Sequence, residues 1–158
     1  MTLIVEDNTG LDNAESYISV DDAIDYFEMY GGGDTFGLDI SRQEQALRNG
    51  TRIVDGLIRW TGDKLDEDQA LEFPRTRKDK DGNSVTVEIP KEVKEAVADI
   101  AELWLNDDLS MQPIVQERYG DTSVRYAYPH VESKFLDIKK RLLKYGAYSA
   151  TVVTTYRA

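Results

Sequence analysis

The chain has 158 residues, a length that suits one domain with a sizeable core, and its 41% hydrophobic and 31% charged residues are ordinary for a folded protein. It has no cysteine and one histidine, which excludes disulfide frameworks, zinc ribbons and thiolate catalysis. The formal net charge is −11, with ten acids and no Lys or Arg in residues 1–40. So acidic a chain is a poor candidate for tight nucleic-acid binding, which relies on Lys and Arg to neutralise phosphates.

From the N-terminus, Met1 to Glu6 lack the basic start and long apolar stretch of a signal peptide, and no apolar run approaches the ~20 residues of a membrane span. The chain is therefore expected to be made and used in the cytoplasm. The acidic first quarter reads as a solvated face, or as a surface that meets a basic partner or repels passing DNA.

A first helix is predicted over 20–30, opened by Ser19 and Asp22 and carrying Ala23, Phe27 and Tyr30 on one face. Residues 31–37, with Gly31-Gly32-Gly33, read as a turn. A second helix is predicted over 42–59, with Ser41 and Glu44 as its capping box and Ala46, Gly50, Ile53, Val54, Leu57 and Ile58 as its apolar stripe. Residues 61–89 read as a long polar connection around Pro74 and Gly82, with Val85-Thr86-Val87 as a short strand within it.

Pro90 is placed at the first position of a third helix, where a missing N–H costs nothing. Its stripe is Val93, Ala96, Val97, Ile100, Ala101, Trp104 and Leu105. Period-two patterns at Val115 to Tyr119 and Val124 to Tyr128, around Gly120, predict a β-hairpin. A fourth helix is predicted over 131–145, with Phe135, Ile138, Leu142 and Tyr145 on one side. The last residues, Ala150 to Tyr156, are strongly β-prone with no partner strand adjacent in sequence.

The expected fold is mainly α: a bundle of about four helices with a long α2–α3 loop, a small β-hairpin and an extended β-prone tail. A single helical domain over 1–146 would be followed by a tail over 147–158.

Catalytic signatures are absent. His130 is the only histidine and reads as a helix-start residue, no Gly-x-Ser-x-Gly elbow exists, and the 30 acids are too many to be diagnostic. Asp79, Asp81 and Asn83 alternate as in a calcium loop, but Ser84 and Pro90 stand where that loop needs Gly and Glu. Asp34 follows the three glycines where a P-loop needs Gly-Lys-Ser/Thr. The chain is expected to be no enzyme, with no catalytic residue, metal or cofactor.

The order of short motifs resembles one phage family. Leu3-Ile4-Val5-Glu6-Asp7, Gly10-Leu11 and Asn13-Ala14-Glu15-Ser16-Tyr17-Ile18-Ser19 open it. Asp22-Ala23 and Tyr26-Phe27 follow, then Ala46, Asp55-Gly56, Trp60 and Gly62. Gln69-Ala70-Leu71, Phe73-Pro74-Arg75-Thr76, the Asp79 to Gly82 turn, Glu88-Ile89-Pro90, Val93-Lys94 and Ala96 complete it, within residues 1–110. Such proteins sit among head-to-tail joining genes and are labelled DnaT-like single-stranded-DNA-binding proteins. They are also similar to the helical head–tail adaptors that ring the portal in about a dozen copies.

What the resemblance implies is a structural virion protein, a connector adaptor joining the DNA-filled capsid to the tail. It would act in the virion, and in the host cytoplasm during assembly. Its partners would be the portal protein, a stopper or tail-side protein and its own copies, with double-stranded DNA passing without specific binding and no membrane. The loop cations Arg75, Arg77, Lys78 and Lys80 would reach a ring neighbour or the lumen. Tyr148, Val152, Val153, Tyr156 and Arg157 would dock on the portal by strand addition. The alternative is a replication-type single-stranded-DNA-binding module using Arg75, Arg77, Lys78, Lys80, Arg118 and Arg125.

Overall fold

The computed structural model describes residues 2–37, 39–106, 116–119, 122–125 and 129–148. Helix α1 (Val20–Tyr30) starts as expected, since Ser19 Oγ accepts the Asp22 N–H at 3.1 Å. Helix α2 (Ile40–Leu57) does not start at the expected box. Asp39 caps it by accepting the Arg42 N–H at 3.1 Å. Glu44 is instead buried and accepts the Leu3 N–H at 3.1 Å, tying the N-terminal segment to α2. Helix α3 (Lys91–Leu105) has Pro90 as its cap residue, one position earlier than expected. Helix α4 (Pro129–Leu142) passes into a short 3₁₀ turn (Leu143–Tyr145).

Helices α2 and α3 form the centre. Ala46 and Val54 of α2 and Val93, Ala96, Val97, Ile100 and Ala101 of α3 are fully buried, as the stripes require, while Ile53 and Trp104 are half-buried and Ile58, expected in the second helix, lies past its end; Leu47, outside the expected stripe, is also fully buried. Gly50 lets the two backbones approach: a Cβ there would stand 2.8 Å from the Val97 carbonyl oxygen. Ile138 and Leu142 bring α4 onto this pair.

The rest of the chain is not bundle. Strand β1 (Ile58–Trp60) leaves α2 directly and pairs antiparallel with β7 (Gly146–Tyr148). Strands β2 (Asp63–Lys64), β3 (Arg75–Lys78) and β4 (Ser84–Val87) form an antiparallel sheet in the order β2-β3-β4. Strands β5 (Gln116–Tyr119) and β6 (Thr122–Arg125) form the expected hairpin. The fold is therefore an α/β mixture, four helices with small antiparallel sheets, and not the mainly helical bundle expected. Two segments carry the difference. The polar stretch 61–89 holds a sheet because β3 and β4 pair through their backbones, which periodicity does not reveal. The tail expected from residue 147 begins as a strand, whose partner Ile58–Trp60 lies far back in the sequence.

The N-terminal segment packs as ordered loop. The Glu6 carboxylate, 3% exposed, accepts the Gly10 and Leu11 N–H groups at 2.9 Å each. Asn8, with φ +73°, accepts the Ile89 N–H at 2.8 Å. Glu15 pairs with Arg48 at 3.0 Å. Part of the acidic first quarter is thus scaffold, while Asp21, Asp22, Asp25 and Glu28 of α1 remain exposed.

Candidate nucleic-acid interface

Strands β3 and β4 extend into a two-stranded ribbon whose outer part, residues 77–86, is exposed throughout. Its register places Arg77 opposite Val85 and Lys78 opposite Ser84. The turn closes on Asp79, whose Oδ1 accepts the Asp81 and Asn83 N–H groups at 2.9 and 2.8 Å, with Gly82 at φ +81°. The alternating Asp79, Asp81 and Asn83 are therefore a self-capping turn. Among the described residues no cluster of acids or histidine is placed to hold a metal.

Three cations project from this ribbon: Arg77, Lys78 and Lys80. Lys78 Nζ donates to Ser84 Oγ at 3.1 Å, and among the described residues no acid pairs with any of the three. They are free to meet anions, although Asp79 and Asp81 are interleaved with them in the same exposed turn.

Arg75 belongs to a different structure. Its side chain is 8% exposed and threads inward at the base of the sheet. Nε donates to the Thr61 carbonyl at 3.0 Å, Nη1 to the Glu72 carbonyl at 3.0 Å and to Glu72 Oε2 at 2.7 Å, and Nη2 to the Gly62 carbonyl. Expected to reach a neighbour or DNA, Arg75 instead clamps the β1–β2 turn to the Glu72–Pro74 segment. Gln69 assists, its Nε2 donating to the Leu71 and Pro74 carbonyls at 2.7 and 3.0 Å. Sequence reading missed this role because an arginine among Lys and Asp reads as surface.

The remaining predicted residues fall as follows. Arg118 lies opposite Ser123 and Arg125 opposite Gln116 on the hairpin. Tyr148 ends β7 opposite Ile58. Val152, Val153, Tyr156 and Arg157 lie outside the described residues. His130 is in the first turn of α4. The three glycines form the expected turn: Gly33 donates to Glu102 Oε1 at 2.5 Å, and a Cβ there would stand 2.7 Å from Phe27. A carboxylate already occupies the position a phosphate would need. A cleft of about 400 Å³ between that turn, α3 and α4 is lined by Asp99, Glu102 and Asp137 against Lys134 and Arg141, also a poor fit for phosphate.

Among the described residues no helix is long and apolar enough to cross a membrane. No curated protein and no solved structure matches the chain. One family model matches residues 1–158, and its description reads "Putative DnaT-like ssDNA binding protein". That match overturns the connector reading, which weighed net charge above the family label, and it favours the alternative. Because the match runs the full length, the chain belongs to the family of DnaT-like single-stranded-DNA-binding proteins.

Proposed function

We propose that the protein binds single-stranded DNA without base readout, holding the sugar–phosphate backbone on the β3–β4 ribbon. The observation that carries this is the ribbon itself: Arg77, Lys78 and Lys80, exposed on a projecting two-stranded element and unpaired by acids among the described residues. Family membership supports the ligand class. The net charge of −11 is no obstacle, because it is concentrated in residues 1–40, leaving 20 acids against 19 bases in the rest. Phosphate binding depends on local cations, and each contact releases condensed counterions.

The test is fluorescence anisotropy of labelled oligothymidine titrated with the full chain across a salt series. Micromolar or tighter affinity at low salt, falling steeply as salt rises, is expected. No binding at low salt would overturn the proposal.

A further inference from the structure

Non-specific single-strand binders combine cations that track the backbone with aromatic rings on which bases stack. The ribbon supplies cations and no ring. Most aromatics of the described residues are unavailable: Tyr17, Phe27, Phe36, Trp60 and Phe73 are all at least 93% buried. Tyr26, Trp104, Phe135 and Tyr145 are partly buried against the core. Tyr30, at the end of α1, is 58% exposed and is the only exposed aromatic among the residues whose side chains are described.

Tyr30 is also held in place. The Tyr26 ring lies 5.2 Å away at 43°, and Tyr26 is itself fixed by donating to Asp99 Oδ1 at 2.9 Å. Lys91 Nζ stands 5.6 Å from the Tyr30 ring centroid, donates to its Oη at 3.2 Å and pairs with Glu95 Oε1 at 3.3 Å, while the Lys91 side chain stays 71% exposed. The pair offers one π face and one cation side by side, the local chemistry of a stacked nucleotide.

A chain of contacts joins this pair to the ribbon. Glu92, next to Lys91, is paired with Lys144 and accepts from Tyr145 Oη at 2.7 Å. The Tyr145 carbonyl accepts the Thr61 N–H at 2.9 Å. Thr61 and Gly62 lie against β3, where a Cβ on Gly62 would be 3.7 Å from Arg77 Cβ. Exposed Arg59 and Lys144 border the β1–β7 sheet along the way.

We propose that Tyr30, with Lys91 beside it, is a base-stacking subsite for the same single strand that the ribbon holds; this rests on the single-stranded-DNA reading above. The strand's phosphates meet Arg77, Lys78 and Lys80, and one base lies on the Tyr30 ring. The bland alternative, a tyrosine that merely covers Tyr26, predicts no dependence of binding on bases.

The test compares oligothymidine with an abasic oligomer of the same length and charge, bound by the full chain and by its Tyr30→Leu and Tyr30→Phe variants. Thermal melting checks that both variants fold. The wild-type chain should prefer oligothymidine by about tenfold, as expected for one stacked base. Tyr30→Leu should lose that preference and keep its abasic affinity, while Tyr30→Phe keeps both. Equal preference in Tyr30→Leu and wild type overturns the stacking subsite and leaves the ribbon reading standing. A wild-type chain that binds neither oligomer overturns the single-stranded-DNA reading itself.

Discussion

Tyr17 Oη donates a 2.6 Å hydrogen bond to Asp55 Oδ1, and the same oxygen accepts the Phe73 N–H at 3.1 Å. Three segments far apart in sequence, the N-terminal loop, the end of α2 and the approach to β3, meet at this hydroxyl. Tyr17 is fully buried and packs edge-on against Phe73, with ring centroids 6.2 Å apart. Tyr17→Phe would leave a buried N–H without a partner and Asp55 Oδ1 without its donor, only the Glu72 N–H remaining on Oδ2. A loss of roughly 1–3 kcal/mol is expected by chemical denaturation.

Asp55 makes stability depend on pH. Burial, helped by the nearby Glu72 charge and opposed by the Tyr17 bond, pushes its carboxyl from 3.8 up to about 7. Between those values the folded state keeps a proton that the unfolded chain has released. Stability from this group is therefore full below about pH 4 and falls as pH rises toward 7, by up to about 1.4 kcal/mol per pH unit. Asp55→Asn should flatten that slope in denaturation curves recorded from pH 4 to 7. An unchanged slope would mean Asp55 is charged throughout.

Arg75 should matter to the fold and not to DNA. Arg75→Met removes the donors that satisfy the Thr61, Gly62 and Glu72 carbonyls. A destabilisation of roughly 2–4 kcal/mol is expected, reduced from a fully buried pair because Glu72 is partly exposed. The folded fraction should bind oligothymidine like wild type. A stable variant with weakened binding would return Arg75 to the interface.

The ribbon cations should show the opposite behaviour. Replacing Arg77, Lys78 and Lys80 together by Gln should leave the unfolding free energy within about 0.5 kcal/mol of wild type. The slope of log affinity against log salt should fall by about 2, since each single-strand phosphate contact contributes about 0.7. An unchanged slope would place the phosphate contacts elsewhere.

Gly50→Ala tests the α2–α3 seam. The added methyl meets the Val97 carbonyl at 2.8 Å, and backbone on both sides resists moving. The strain should exceed the gain in helix propensity and cost roughly 1–3 kcal/mol in a thermal or chemical melt. A variant as stable as wild type would show that the helices can separate locally.

What the sequence by itself determined was everything that depends on local periodicity and local chemistry. The stripes of α2 and α3, the Ser19 cap, the turn at Gly31 to Gly33 and the β5–β6 hairpin all follow from neighbours a few residues apart. The motif order Gln69 to Thr76 was legible as a family mark, though not as what it is, a clamp made by Gln69 and Arg75. Only the tertiary structure decided the sheets and the fate of individual charges. Ile58–Trp60 and Gly146–Tyr148 are short, and each becomes a strand only because the other supplies its hydrogen-bond partners. Arg75 and Arg77 are two residues apart on one strand, yet one is buried among carbonyls and the other is exposed. The physical reason is that a cation's role depends on which acceptors the folded chain brings to it: besides the nearby Glu72, those of Arg75 come from residues 60–62, beyond any local pattern.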